Sequence, residues 1–320
     1  MTIGNQTAVV FGGGGFIGRH LVRRLGKSGA VVRIPSRHVS RLAFLRTAGV
    51  VGQIVPEIVD AFDDEELAAV VARADVVINL IGTLAENRRN SFDRIHANIP
   101  GAIARAAAAA NVKRLIHVSA IGADPDSTSA YARSKAAGEA AVKAAFPKAT
   151  IIRPSIVFGP EDNFFNRFAA MAQLSPVLPL IGGGHTRFQP VYVGDVADGI
   201  MAALGDSATA GKLYEFGGPG VYSFKELMEL MLAEIGAKRL LVPLPWGLAR
   251  LQARFAEFLP GPPLTRDQVE LLRYDNVLNG KSPDLTDLGI LPKSVELILP
   301  TYMDRFRKGG RTAPNRKAYP

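Results

Sequence analysis

Tyr131 and Lys135 stand four residues apart in Tyr131-Ala132-Arg133-Ser134-Lys135, a spacing that brings two side chains onto one face of a helix. An ammonium beside a phenol lowers the phenol pKa and can hold ribose hydroxyls, which suits the pair to acid or base work in hydride transfer. A second chemical signal lies near the start of the chain, in Gly12-Gly13-Gly14-Gly15-Phe16-Ile17-Gly18. Ala8-Val9-Val10-Phe11 before it reads as a buried strand, and residues 19–25 after it read as the start of a helix. Glycines at such a joint allow a tight turn and let the backbone approach a pyrophosphate, which rests on the free amides of the helix N-terminus. A glycine-rich surface turn is the other reading, but the strand and helix on either side supply the context a nucleotide fingerprint requires. The expected contacts are Gly12, Gly14, Gly15, Phe16, Ile17 and Gly18.

The second strand ends on Ser36-Arg37, where chains that hold NAD usually carry Asp or Glu for the ribose hydroxyls. A guanidinium pairs with a 2′-phosphate that a carboxylate would repel, so the expected cofactor is NADPH, with Arg37 as its selector and Arg33 and Arg41 nearby. Asp60, just past the third strand, suits an adenine amino group or the cap of the next helix. Ligands of such sheets sit at the carboxyl ends of the strands. That places Leu80, Ile81 and Gly82, Ser119 and Pro154 beside the cofactor, at the ends of the fourth, fifth and sixth strands.

The elements that must position these residues alternate as a parallel sheet demands. Strands are expected at 8–11, 30–34, 52–60, 74–82, 115–119 and 150–153, with an alanine-rich helix over 99–110. The fold class is α/β, a Rossmann-type doubly wound parallel sheet with a smaller C-terminal α/β region. A nucleotide domain over 1–158, to which 189–216 returns, is followed by a smaller region over 159–320. With 320 residues, 48% hydrophobic and 21% charged, the chain can bury such a core. It has no cysteine, hence no disulfide, thiolate metal site or thiol nucleophile. The five histidines show no close pair at ligand spacing. His20, His38 and His185 read as isolated polar residues, and His117 as a satisfied sheet residue. No charged-then-apolar leader follows Met1, and no apolar run is long enough to span a bilayer.

In the second half, Leu244, Leu248, Leu251, Phe255 and Phe258 recur in steps of four and three as a helical stripe, stopped by Pro260-Gly261-Pro262-Pro263. It either packs on the chain's own core or docks on something else. Trp246 near its start suits a membrane interface or a protein groove. The net charge is +9, and Arg305, Arg307, Lys308, Arg311, Arg316 and Lys317 form a basic tail that suits anionic lipid or a partner. Nucleic acid is not an expected partner, because no recognition motif accompanies the charge.

The glycine loop, the Tyr131 and Lys135 pair, Arg153-Pro154-Ser155-Ile156-Val157-Phe158-Gly159 and Gln189-Pro190-Val191-Tyr192-Val193-Gly194-Asp195 together resemble the extended and atypical short-chain dehydrogenases/reductases. One departure stands out. The position two residues after Ser119, where those enzymes place a carbonyl-polarising hydroxyl, is Ile121. The stretch from Ser119 to Tyr131 is short for a substrate wall, and Ser127, Thr128 and Ser129 suit capping of the next helix. Several further stretches, including Val76-Val77-Ile78-Asn79-Leu80-Ile81-Gly82, Gly159-Pro160-Glu161-Asp162-Asn163-Phe164 and Leu264-Thr265-Arg266-Asp267-Gln268-Val269-Glu270, resemble a narrower family. This is the NADPH-containing accessory subunit of respiratory complex I, the alpha-subcomplex subunit nine family. That resemblance implies a held NADPH without turnover and neighbours among the complex I subunits of the peripheral arm, near the quinone-reducing region. It also implies a peripheral seat on a membrane: the cytoplasmic face of a bacterial inner membrane, as the missing leader suggests, or the matrix face in an organelle. An active NADPH-dependent reductase, epimerase or dehydratase on a sugar nucleotide or similar substrate is the alternative, and an NADP-sensing regulator a second one.

Overall fold

The computed structural model describes residues 3–86, 90–258 and 264–310. Apolar runs of four to six residues bounded by turns become β1 (Thr7–Phe11), β2 (Val31–Ser36), β3 (Ile54–Ile58), β4 (Val76–Asn79), β5 (Arg114–Val118) and β6 (Thr150–Pro154). The helices between them are α1 (Phe16–Lys27), α2 (Asp64–Val71), α3 (Ile99–Ala109) and α4 (Ala130–Ala145). A 3-10 segment, Val39–Ala48, joins β2 to β3, and a π-turn, Arg94–Asn98, leads into α3. Beyond β6 come β7 (Val157–Phe158), α5 (Phe165–Leu174), β8 (Val177–Ile181), β9 (Arg187–Phe188), β10 (Val191–Tyr192), α6 (Val193–Gly205) and β11 (Leu213–Phe216). The chain continues through β12 (Tyr222–Ser223), α7 (Phe224–Ile235), β13 (Leu240–Leu244), α8 (Trp246–Ala256) and α9 (Arg266–Leu271).

β1 to β6 and β11 form one seven-stranded sheet, in the order β11-β6-β5-β4-β1-β2-β3, with every neighbouring pair parallel. This is the doubly wound arrangement, whose order reverses between β1 and β4 and leaves a crevice at their carboxyl ends. The strands read as unbroken apolar runs because both faces are covered. Alternation then sorts their residues: Ala8, Val10, Val76 and Ile78 face one cluster with Leu21, Leu25 and Ile200. Val9, Phe11, Val77 and Leu115 face the other, with Ile103 and Val142. By the same parity Asn79 and His117 point into the second layer, between the sheet and α4.

The first layer packs α1 on α6, and the second packs α3 on α4. Helix starts carry the caps their sequences supply: Asp63 for α2, Ser129 for α4, and capping boxes at Ser223 and Thr265 for α7 and α9. A separate cluster of Phe158, Phe165, Phe224, Met228, Val295 and Tyr302 forms the core of the C-terminal region. Asp162 ties it to the Gly159 loop, accepting from the Tyr302 hydroxyl at 2.7 Å and from three backbone amides.

One open question is answered here and two expectations change. Leu248, Leu251, Phe255 and Phe258 are 51–84% exposed, while Ala249 and Ala253 are the buried side of α8. The apolar stripe therefore points outward rather than into the chain's own core; only Leu244 of that set packs inward. Trp246 is half-buried on its own chain, its ring packed over Gly182 and stacked by Arg273 at 5.5 Å. Arg305 donates to the Pro160 carbonyl and to Asn166, and Arg307 pairs with Glu234, so these two tail cations are committed to their own molecule. Pro260-Gly261-Pro262-Pro263, Arg311, Arg316 and Lys317 lie outside the described residues.

Candidate cofactor site

The glycine loop joins β1 to α1 at the crevice. Gly12 takes φ +76°, and a Cβ there would sit 3.0 Å from the Leu80 backbone. A Cβ on Gly18 would fall 2.3 Å from the Gly12 carbonyl oxygen, and one on Gly14 would collide with Leu42. Gly15 caps α1 with extended backbone and no side-chain hydrogen bond. The first amides of the helix, Phe16, Ile17 and Gly18, therefore stay open to an anion at the positive end of the dipole. A cavity of about 270 Å³ lies over this loop, lined also by Ser36, His38, Arg41 and Leu42.

A neighbouring cavity of about 220 Å³ is lined by Gly12, Arg37, Asp60, Phe62, Ile81 and Ile95, among others. Arg37 and Asp60 are thus brought together, as a 2′-phosphate and an adenine amino group would need. Arg37 holds its guanidinium 6.0 Å from the centre of the Phe62 ring, and Arg94 stacks on the same ring at 3.8 Å. The cap of α2 proves to be Asp63, which accepts from the Glu65 and Glu66 amides. Asp60 accepts from the Phe62 amide at 3.1 Å in a local turn. Arg33 is withdrawn from the site by a bidentate pair with Glu57 at 2.6 and 2.7 Å.

Leu80, Ile81 and Gly82 run from this cavity toward the Tyr131 and Lys135 pair. The Asn79 side chain accepts from the Ile81 amide at 3.0 Å and so presents its amide nitrogen to His117 Nδ1 at 3.2 Å. That leaves His117 Nε2 as a buried N–H without a partner, so His117 is only half satisfied in the sheet. Ser119 Oγ, at the end of β5, is likewise buried and unpartnered. A Cβ on Gly82 would meet Lys135 Nζ at 3.4 Å. Lys135 is 4% exposed, and burial pulls its pKa from 10.5 to about 8, partly offset by Glu139. Glu139 is itself held by Arg153 at 2.7 and 2.8 Å. Open amides over a loop that side chains would fill, a poised ammonium and an orphaned hydroxyl fit a dinucleotide. When bound, such a group supplies hydride chemistry; Lys135 would hold its ribose and Ser119 would lie beside its ring. Pro154 is buried at the end of β6, where its carbonyl accepts from the Ile121 amide at 3.0 Å.

The surroundings of Tyr131 differ from the expectation of a lowered phenol pKa. Lys135 Nζ lies 5.8 Å from the Tyr131 ring centre. Burial first, then the Asp267 carboxylate, pushes the phenol upward instead. Phe92 and His96 pack edge-on against the ring at 5.7 and 5.1 Å, and stack on each other. His96 Nε2 accepts from the Thr83 amide, so its Nδ1–H faces Ser134 Oγ at 2.9 Å, and Ser134 donates to the Tyr131 carbonyl. Burial holds His96 at a pKa of about 3, which keeps it neutral.

Sequence reasoning missed His96 and Asp267. Asp267 of α9 accepts from Ser129 Oγ and from the Ala130 and Tyr131 amides at 2.7–3.1 Å. Gln268 donates to the Leu84 carbonyl, and Glu270 accepts from the Thr128 hydroxyl. α9 therefore bridges the two segments that flank the phenol, and Ile121 nearby is buried and brings no hydroxyl. Ser129 is the one hydroxyl of its group that caps α4.

A doubly wound sheet with a glycine loop and a Tyr–Lys pair defines a class of dinucleotide-binding proteins. The chain belongs to the NAD dependent epimerase/dehydratase family, whose model matches residues 8–217. The cofactor class is a nicotinamide dinucleotide. Within that class the chain is similar to NADH dehydrogenase [ubiquinone] 1 alpha subcomplex subunit 9, mitochondrial, from Arabidopsis thaliana. The two are 38% identical over 97% of this chain and 80% of that one. The Mus musculus protein of the same name is 39% identical over 92% of this chain and 79% of its own length. A ceramide reductase from Caulobacter vibrioides is 34% identical over 74% of this chain and 73% of that protein. Among solved structures, UDP-glucose 4-epimerase from Thermotoga maritima aligns with a TM-score of 0.72 at 19% identity, covering 95% of this chain and 99% of that one. This last likeness shows the fold alone.

Proposed function

We propose that the chain is a non-catalytic accessory subunit of a respiratory NADH:ubiquinone oxidoreductase, complex I, in which a held NADPH stabilises the fold near the quinone-reducing region. The observation that carries this reading is the setting of Tyr131. Its ring packs edge-on against Phe92 and His96, burial and the Asp267 carboxylate favour its neutral form, and Ile121 stands where a polarising hydroxyl belongs. A general acid works best with a pKa near the operating pH, and this one is driven the other way. Similarity to the subunit 9 proteins across more than nine-tenths of the chain supports the same reading, since it extends well beyond the nucleotide fold.

Arg37, with Arg41 close by in the adjoining cavity, supports NADPH rather than NADH. The contacts are those of the loop (Gly12, Gly14, Gly15, Phe16, Ile17, Gly18), the strand ends (Leu80, Ile81, Gly82, Ser119, Pro154), and Arg37, Asp60, Tyr131 and Lys135. In this reading residues 1–158 with 189–216 hold the nucleotide, and 159–320 attach. The outward stripe of α8 docks on a neighbouring subunit, and the remaining basic tail lies near anionic lipid. No helix among the described residues is long and apolar enough to cross a membrane. The proposed seat is peripheral, on the cytoplasmic face of a bacterial inner membrane or the matrix face of a mitochondrion.

The ceramide reductase similarity and the retained Tyr131 and Lys135 favour a second reading, an NADPH-dependent reductase. Purified protein loaded with NADPH separates the two when offered carbonyl substrates, ceramide precursors and sugar nucleotides. The accessory reading expects the NADPH absorbance to persist. Steady oxidation that Tyr131→Phe abolishes would establish the enzyme.

A further inference from the structure

No carboxylate precedes Glu57, although seven arginines and one lysine do. The structure gathers several of these cations on one face. Arg19, Arg23 and Lys27 fall at successive four-residue steps along α1, and the three-residue period of the 3-10 segment buries Leu42 and Leu45 while turning Phe44 and Arg46 outward. The two elements touch closely: a Cβ on Gly26 would lie 2.5 Å from the Ala48 carbonyl oxygen, and Arg19 stacks on Phe44 at 5.2 Å. Arg24 is neutralised by Asp198 and Arg33 by Glu57, whereas Arg23, Lys27 and Arg46 are exposed and have no ion pair among the described residues.

Beside these cations stands an apolar tip. Val50 is 76% exposed and Val51 104%, at a turn position where polar residues are the rule. The tip is built rather than loose. Buried Gln53 accepts from the Val50 amide at 2.9 Å and donates to the Gly26 and Ala30 carbonyls at 2.6 and 2.9 Å. This fixes the two valines against the C-terminal end of α1, next to Lys27. We propose that this face, Val50 and Val51 ringed by Arg23, Lys27 and Arg46, seats the protein on an anionic phospholipid surface. A convex aliphatic tip among solvated cations suits the headgroup zone, where small apolar residues insert and cations meet phosphates. Among the described residues of this face only Phe44 is aromatic, and Arg19 already stacks on it. The face lies at the amino-terminal edge of the sheet, away from the cofactor loop, and is separate from α8. It extends the attachment proposed above to a second surface without depending on it.

Flotation of the full chain with vesicles tests this, using phosphatidylcholine alone and phosphatidylcholine mixed with phosphatidylglycerol. Binding is expected to the mixed vesicles only. Each of Arg23→Gln, Lys27→Gln and Arg46→Gln should weaken it about fivefold, and the three together about a hundredfold, the loss expected for about 1 kcal/mol per cation at such a surface. Val51→Asp should weaken it by a similar factor, with an unchanged melting temperature confirming the fold. Neutralising Arg311, Arg316 and Lys317 should leave most of the binding in place. The proposal is overturned by absent or charge-independent binding, by a triple variant that binds as tightly as the parent, or by binding that disappears with the tail changes alone. Co-purification with respiratory subunits, scored on the same variants, reports separately on the accessory role and is expected to survive the triple change.

Discussion

In the proposed reading, Arg37 is the residue on which the choice of nucleotide turns. Asp60 lines the same cavity, and Arg33, the arginine of β2, is already spent on Glu57. A charge-assisted hydrogen bond is worth about 1.5–3 kcal/mol, so Arg37→Asp should cost NADPH roughly tenfold to a hundredfold in affinity and leave NADH bound as well or better. Competitive binding of the two nucleotides measures this, and equal retention of both by the unchanged protein would remove Arg37 from its role. His96 and His117 make a second residue-scale prediction. Burial holds both near a pKa of about 3, against 6.5 in the unfolded chain. Their contribution to stability is therefore complete above pH 6.5 and is lost as pH falls toward 3, because only the unfolded state then takes up their protons. Melting temperatures should drop steeply over that window, and His117→Gln should flatten the slope. A profile unchanged by that substitution would show that His117 is protonated in the folded protein. Neither histidine was legible in its role from sequence. The parity of β4 and β5 points Asn79 and His117 the same way, but only the fold brings in His96 and Lys135.

At the scale of elements, the loop and α8 carry opposite lessons. The loop was readable because its requirements are local: a turn at Gly12, a close approach at Gly18 and open amides behind them. Gly18→Ala puts a methyl group 2.3 Å from the Gly12 oxygen. It should cost about 1–3 kcal/mol in strain and unload the nucleotide, removing the stabilisation a ligand gives the folded state. Lower melting temperature and lost NADPH together check it; a fully loaded variant would contradict the loop's role. For α8 the period of the stripe was plain in the sequence, but its direction was not. Direction depends on whether the alanines or the leucines face inward, and here Ala249 and Ala253 fill the narrow gap over Ile181 and Val269. Because Leu251 and Phe255 are already exposed, Leu251→Asp with Phe255→Asp should leave folding and NADPH intact. Each docked side chain contributes about 1.5–3 kcal/mol, so together the changes should lower retention on the respiratory complex more than a hundredfold. High salt alone should release little, since screening acts on charges rather than apolar burial. Retention of the double variant on the complex would place the docking surface elsewhere.

Across the whole molecule, the alternation of strand and helix made the doubly wound sheet legible, because apolar runs of strand length separated by helical patterns leave few other architectures. What stayed hidden was long-range. Asp267 accepts from the Tyr131 amide across 136 residues of sequence, and no local pattern announces that α9 ties down the start of α4. The tail shows the same limit: Arg305 and Arg307 look free in sequence and are bound to Pro160, Asn166 and Glu234 in the fold. The proposed role is that of a subunit which holds its nucleotide, and the protein's company tests it more directly than turnover does. The most direct measurement is to purify the protein at its native level from gently solubilised membranes and to determine by mass spectrometry what accompanies it, with its nucleotide content. Subunits of NADH:ubiquinone oxidoreductase are expected in equal proportion, with one NADPH per chain that remains reduced. A protein recovered alone, consuming NADPH on an identified substrate, would contradict the proposed role.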